Sequence, residues 1–206
     1  ESVPLDASRL QRPAPVVGIF TPKAVSWPAP AAIVEDCRRH FCARRVVIRW
    51  HPSMLQPTRL DQVVKHLSGL VESPKTAALA EVARECDFVI ADQNSNVHLP
   101  VLKLGIPTIA VAGLGVYPPS HVDQYGFIAD GIVFPPVASI RDVQPATVAA
   151  FYDDCWTSRF AAYDASYLRN DDAIGRAVRG AVLALAERRP EPEPKRPPST
   201  SEGSAP

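Results

Sequence analysis

The sequence predicts an α/β domain built on a parallel β-sheet. Short apolar runs of four or five residues alternate along the chain with longer stretches whose apolar residues have helical spacing. Many of these runs end in Gly, Pro or helix-capping residues, as the connections of βαβ units do. The chain has 206 residues, of which 46% are hydrophobic, so its central part can bury the core of one domain of ordinary size.

Six apolar runs are predicted to be strands because they are short, rich in β-branched or aromatic residues and bounded by turn residues. They cover residues 16–20, 46–50, 70–71, 88–91, 108–111 and 131–134. Proline has no N–H to donate to a sheet, so Pro52 ends the second strand and Pro135 the last. The runs do not alternate with polar residues, which is typical of strands covered on both faces. We therefore expect a Rossmann-like parallel sheet of about five or six strands with helices on both faces.

The stretches that follow the strands have the apolar spacing of helices; they cover residues 30–42, 58–69, 76–85, 97–104, 147–161 and 170–189. Pro30 suits the first turn of its helix, Thr76 is a candidate N-cap, and Gly105 suits a helix end. In the last helix the acids lie at the start and the arginines at the end, as the helix dipole favours. Residues 15–189 therefore form one predicted domain. Residues 1–14 are interpreted as a tail or linker and the Pro-rich residues 190–206 as a disordered tail.

Charge and cysteine usage narrow the classes of function. Lys plus Arg equals Asp plus Glu at 22 each, whereas binding to nucleic acid usually leaves a basic excess. We therefore expect no nucleic-acid partner. The absence of a long apolar run and of a signal peptide favours the cytoplasm, where peripheral contact with the inner face of the membrane is compatible with the sequence. The four cysteines, Cys37, Cys42, Cys86 and Cys155, lack metal-site spacing and are interpreted as buried thiols in a reducing compartment.

Polar residues follow several predicted strands directly. Asp92 to Asn96 form a turn between a strand and a helix, and backbone N–H groups at a helix N-terminus favour anions. The same residue types, Ser95 above all, also cap helices, and this unit alone does not decide between capping and anion binding. Ligands of open parallel sheets collect at the carboxyl ends of the strands, which is where this turn lies.

Two further clusters share that predicted edge. Arg49, His51 and Pro52 end the second strand, and the loop from Gly113 to Tyr117 follows the fifth. A protonated histidine is a charge-assisted donor to phosphate, and glycine lets the backbone approach a ligand closely. Arg49 is equally suited to a structural ion pair, and the ring of Tyr117 either stacks on a base or sugar or simply packs.

Two motifs carry a resemblance to a known family. Residues 46–52 (VVIRWHP), followed by residues 85–96 (ECDFVIADQNSN) and 100–109 (PVLKLGIPTI), resemble the C-terminal, nucleotide-binding half of GT-B glycosyltransferases. The most similar group has an HP motif and a downstream Ser motif and includes bacterial sialyltransferases, capsule Kdo transferases and CDP-glycerol glycerophosphotransferases. The resemblance covers about residues 44–135 and the C-terminal helices.

The resemblance implies roles for individual residues. His51, with Pro52 in the HP motif, would contact and stabilise the donor phosphate, which makes it the candidate catalytic residue. Ser95 would bind the same phosphate between Asn94 and Asn96, where many members have a Ser-Ser or Ser-Thr pair. The loop from Glu72 to Thr76 would contact base and ribose, although a solvated acid is an equally good interpretation of Glu72. No Asp-x-Asp motif is present, and this group commonly uses helix dipoles and basic side chains at the phosphate, so we expect no metal and no cofactor.

The expected function is therefore that of a donor-binding domain. It would transfer a sugar such as Kdo or sialic acid from a CMP- or other nucleotide-activated donor to a surface polysaccharide. The acceptor-binding half of the family has no counterpart in residues 1–43, so a separate N-terminal domain or partner subunit would supply it. The alternatives are a UDP-sugar 2-epimerase relative, which shares the fold, and a non-catalytic nucleotide-binding half-domain.

Overall fold

A computed structural model describes residues 3–26, 29–53, 70–73, 77–117, 123–153 and 156–163. Five parallel strands form one sheet: β1 (Val16–Phe20), β2 (Arg45–Arg49), β3 (Leu70–Glu72), β4 (Phe88–Asp92) and β5 (Thr108–Val111). The helices are α1 (Ala29–His40), α2 (Leu79–Arg84), α3 (His98–Lys103) and α4 (Pro145–Phe151), and residues 156–163 are also helical. The predicted α/β class and the Rossmann-like parallel sheet are confirmed.

The strand order is β3-β2-β1-β4-β5. The chain moves outward from β1 to β3 and then returns to place β4 on the other side of β1, so the direction of winding changes between β1 and β4. Open parallel sheets bind their ligands outside the carboxyl ends of the strands at such a switch point. The strand order therefore makes the residues that follow β1, β2, β4 and β5 candidates for ligand binding.

Helices cover both faces of the sheet, as predicted. On one face, Val17 and Ile90 pack with residues of α1 and α4, including Val34 and Val148. On the other face, a second cluster joins alternate strand residues to α2 and α3; it includes Val16, Phe20, Val47, Val82, Val89 and Val101. The sheet is thus buried on both sides, which explains the apolar strand sequences without alternation.

The predicted strand at residues 131–134 is wrong, because this segment is a turn and loop. The backbone N–H groups of Ile132 and Val133 both donate to the carbonyl of Phe127, at 2.8 and 3.0 Å, so they turn back into their own loop. A little further on, Val137 makes an isolated parallel bridge to Val111. The apolar side chains of residues 131–134 therefore fill the core, although the backbone of this segment does not join the sheet.

The described part of the N-terminal segment is packed against the domain, which corrects its interpretation as a tail or linker. Ala7–Gln11 forms a 3₁₀ helix whose Leu10 is buried in the core. Arg12 forms an ion pair with Asp87 at 2.7 Å, and the Asp6 N–H donates to the Gly105 carbonyl at 3.0 Å. The segment is polar and has no helical or strand period. Its contacts join residues far apart in the chain, so the local sequence gives no sign of them.

Several other predictions are corrected or lie outside the described residues. Helix α2 begins at Leu79 with Ala78 as its N-cap, so Thr76 is not the cap. Cys42 is exposed, whereas Cys37 and Cys86 are buried free thiols, and burial raises the pKa of Cys86 to about 12. The predicted helices at 58–69 and 170–189, Cys155 and the predicted tail at 190–206 lie outside the described residues.

Gly18 offers a test of packing in the centre of the sheet. A Cβ at this position would lie 2.9 Å from the Cys86 Sγ and 3.2 Å from the Phe20 ring and a Val89 methyl. We expect Gly18→Ala to lower the free energy of unfolding by about 1–3 kcal/mol, the usual cost of overpacking a core. Urea unfolding measures this change. In a Cys86→Ala background the cost should be smaller, and an equal cost in both backgrounds would show that the clash with the sulfur is not its cause.

Candidate functional site

Thr21 joins the carboxyl ends of β1 and β2. Its N–H donates to the Arg49 carbonyl at 3.0 Å, and its hydroxyl accepts from the His51 N–H at 3.1 Å. The side chain is buried, so it is shielded from competition by water. The backbone on either side of His51 is therefore held against the end of β1.

Three basic side chains gather at this point. Burial lowers the pKa of His51, and the nearby positive charges of Arg49 and Lys23 lower it further. Such an effect requires Arg49 and Lys23 each to lie near His51. We call Lys23, Arg49 and His51 the cationic cluster.

The cationic cluster has no neutralising acid among the residues that the structure describes. None of their ion pairs includes Lys23 or Arg49. The Arg49 Nε is shielded from solvent and has no hydrogen-bond acceptor, while the guanidinium lies 5.8 Å from the centre of the Phe20 ring. Burial lowers the pKa of Arg49. A buried donor without an acceptor costs free energy, and an anionic ligand would supply the acceptor. Among the described residues, Arg49 therefore has no acid with which to form the structural ion pair that was its alternative.

The imidazole of His51 has a defined tautomer when it is neutral. The Ser53 N–H donates to Nδ1 at 3.1 Å, so Nδ1 is the acceptor and Nε2 carries the proton. His51 therefore offers an N–H donor at Nε2 whether it is neutral or protonated. Pro52, the next residue of the HP motif, is exposed and has no N–H to contribute.

The turn after β4 is held mostly by its own contacts. The Asn94 N–H donates to Asp92 Oδ1 at 2.9 Å, and Ser95 Oγ accepts from the Val97 N–H at 3.3 Å. Ser95 is buried, and its hydroxyl is used within this turn, but the N-cap of α3 is Val97 without a side-chain capping hydrogen bond, so Ser95 does not cap the helix. Asn94 is also buried, but its Oδ1 has no partner, whereas Asn96 is exposed. No hydrogen bond between described residues links Ser95 to the cationic cluster.

The loop after β5 contains Gly113 and Tyr117. Gly113 has a φ of +80° and open space where a side chain would be, which suits close approach of a ligand to the backbone. Tyr117 is half-buried, and its pKa is raised to about 12 by burial and by the nearby Asp92 and Tyr125. The ring packs against Gly115, where a Cβ would collide with it. Packing is thus observed for Tyr117.

The loop after β3 is only partly described. Glu72 ends β3 with its backbone opposite Ile48, and the Ser73 N–H donates to the Ile48 carbonyl at 3.0 Å. The side chain of Glu72 and the whole of Thr76 lie outside the described residues. Their predicted contacts with base and ribose stay predictions.

Two residues at this edge were missed by the sequence reasoning: Thr21 and Lys23. Both follow β1, so the rule that ligands collect at strand carboxyl ends could have found them. Asp92, which ends β4, was placed in the polar turn but given no role. Their hydrogen bonds and charge interactions could not have been found, because they join residues 20 to 30 positions apart.

Comparison of the chain with models of protein families and with curated proteins gives no match. Within the described part of the chain, no three His, Cys, Asp or Glu side chains form a group that could hold a metal ion. No described helix has the length and apolar character needed to cross a membrane. The arrangement itself therefore carries the functional argument. It combines a switch-point sheet with a cationic cluster at its carboxyl edge.

Proposed function

We propose that the chain is the donor-binding part of a GT-B glycosyltransferase. The observation that carries the proposal is the cationic cluster, whose partly buried Arg49 has no acid partner among the described residues. Phosphate is the anion that such a cluster at the carboxyl edge of a Rossmann-like sheet would bind. The resemblance of residues 46–52 and 85–109 to the HP-motif group supports the same ligand.

In the proposed reaction an acceptor hydroxyl attacks the anomeric carbon of the donor sugar. The bond from that carbon to the phosphate oxygen breaks, and the nucleotide leaves with the bonding electrons. Arg49 and Lys23 would stabilise the departing negative charge, and the Nε2–H of His51 would donate to the phosphate oxygen. An acceptor-binding domain or partner subunit would take the proton from the hydroxyl. The preferred donors are CMP-activated sugars such as Kdo or sialic acid, and the acceptor is a surface polysaccharide.

The epimerase alternative would require a free carboxylate in the crevice. Asp92, the acid that ends β4, has both carboxylate oxygens engaged by backbone N–H groups. Asp92 is therefore not such a free carboxylate. A non-catalytic half-domain would bind the nucleotide in the same way and would differ only in lacking transfer activity when the acceptor-binding part is supplied.

Titration of the purified chain with CMP, CDP and UDP tests the proposal. We expect saturable binding, and we expect His51→Ala to lower the affinity by about tenfold, because a hydrogen bond to a charged group contributes about 1.5–3 kcal/mol. Ser95→Ala should have a smaller effect, since Ser95 Oγ already serves its own turn. His40→Ala is the matched control, because His40 lies at the end of α1 and contacts the Val143 carbonyl. An absence of saturable binding, or equal affinities for wild type and His51→Ala, would overturn the site.

A further inference from the structure

Asp92 holds two separate loops with one carboxylate. It is the last residue of β4 and is only 1% exposed. Oδ1 accepts from the Asn94 N–H at 2.9 Å, within the turn that leads to α3. Oδ2 accepts from the Gly115 N–H at 2.7 Å, in the loop after β5. These two contacts leave each oxygen of the buried carboxylate with a donor.

Gly115 also belongs to a short antiparallel ribbon between the loop after β1 and the loop after β5. Val25 and Gly115 form a bridge, flanked by hydrogen bonds from the Ser26 N–H to the Leu114 carbonyl (2.9 Å) and from the Val116 N–H to the Ala24 carbonyl (3.0 Å). We call residues 24–26 with 114–116 the loop ribbon. Because β4 lies between β1 and β5 in the sheet, the loop ribbon must cross beyond the carboxyl end of β4.

We infer that Asp92 is a positioning residue for the anion site. Its carboxylate fixes the loop ribbon to the end of β4, and the loop ribbon in turn fixes the backbone of Ala24, next to Lys23 of the cationic cluster. The inference rests on the proposed function insofar as the cluster binds phosphate. Asp92 itself touches no ligand in this account, since both of its oxygens are occupied.

Both contacts require an acceptor atom, and Asp92 supplies one with each carboxylate oxygen. An asparagine at this position would keep one oxygen but would place an NH₂ group against the second N–H donor. A serine could still accept from the Asn94 N–H, as serine does in short turns, but its side chain is too short to keep both contacts. Asp92→Ser therefore separates the contact with Gly115 from the contact within the turn.

Asp87 supplies a matched control at the other end of β4. It directly precedes β4, at the opposite edge of the sheet, and is also a buried carboxylate. Its Oδ2 accepts from the Val16 N–H at 2.7 Å, and its Oδ1 from Arg12. Asp87→Asn thus makes the same chemical change in a carboxylate that also accepts from a backbone N–H, far from the cationic cluster.

Amide hydrogen exchange by NMR tests the inference without a ligand. We expect Asp92→Ser and Asp92→Asn to speed exchange at Ser26 and Val116 while the central amides of β1 and β4 stay protected. We expect Asp87→Asn to leave these two amides of the loop ribbon unchanged. Unchanged exchange at Ser26 and Val116 in both Asp92 variants would overturn the inference.

Titration with CMP supplies the second readout. Because a misplaced group loses much of its effect on a bound ligand, the Asp92 variants should bind CMP about tenfold more weakly than wild type, and Asp87→Asn should bind as wild type does. A ribbon that opens with no loss of affinity would overturn the positioning role. If the wild type binds no nucleotide, the proposed function fails, and hydrogen exchange alone then decides whether Asp92 holds the loop ribbon.

Discussion

Replacing Arg49 with methionine is expected to lower the affinity for CMP by about ten- to hundredfold. A charge-assisted hydrogen bond contributes about 1.5–3 kcal/mol, and each 1.4 kcal/mol changes a dissociation constant tenfold. Arg49 is the member of the cationic cluster whose buried Nε has no acceptor among the described residues, so this donor is available to a ligand. Methionine keeps an unbranched apolar side chain and removes both the charge and the N–H donors of the guanidinium, which lies over the Phe20 ring. Calorimetric titration measures the change.

Arg45 is the matched control for Arg49. It begins β2, whereas Arg49 ends it, and it forms an ion pair with Glu85 at an exposed position. Arg45→Met should leave CMP affinity unchanged and lower the free energy of unfolding by less than about 1 kcal/mol, as the loss of a surface ion pair does. Equal losses of affinity in the two variants would mean that general positive charge attracts the nucleotide, and would contradict a defined site.

Acidification is expected to destabilise the fold through His98. This residue of α3 is fully buried, and its Nε2 lies 2.9 Å from the Asp92 carbonyl while Nδ1 has no partner. Burial lowers the pKa of His98 to about 4, although the bond to the carbonyl of Asp92 acts in the opposite direction. In the unfolded chain His98 binds a proton below about pH 6.5, whereas in the folded chain it binds one only below about pH 4. The folded state should therefore lose about 3 kcal/mol across this interval.

His98→Gln isolates this effect. Glutamine can keep a donor toward the Asp92 carbonyl and does not titrate. Urea unfolding between pH 7 and pH 4 should give wild type a steeper loss of stability than the variant. Burial raises the pKa of Asp92 carboxylate, so the folded state takes up that proton more readily and gains stability on acidification, but both proteins share this opposing effect. Parallel pH profiles for the two proteins would contradict a buried neutral His98.

Local pattern was sufficient to predict the strands that the structure describes. The bounds of β1 and β5 are those that the apolar runs predict, and β4 extends its run by Asp92. The reason is physical: a strand buried on both faces must be apolar throughout, and turn residues mark its ends. The general location of the site followed from the same pattern, because parallel strands bring their carboxyl ends to one edge.

Long-range contacts could not be predicted in the same way. Gly131–Phe134 has the composition of a strand, yet its N–H groups bond within the loop and to Tyr152. Leu10 lies in a segment with no helical period and still reaches the core. The same limit applies within the candidate site. The motif made Ser95 prominent, but its hydroxyl accepts from the Val97 N–H within its own turn, whereas Lys23 was added to the site through its charge interaction with His51.

In the proposed site, the cationic cluster binds the phosphate of a nucleotide. The most direct test is calorimetric titration of the wild-type chain with CMP and with cytidine, which differ only in the phosphate. We predict saturable binding of CMP and at least about tenfold weaker binding of cytidine, because the phosphate would supply the acceptors that Arg49 lacks. Equal affinities for the two compounds, or no binding of CMP, would contradict the claim.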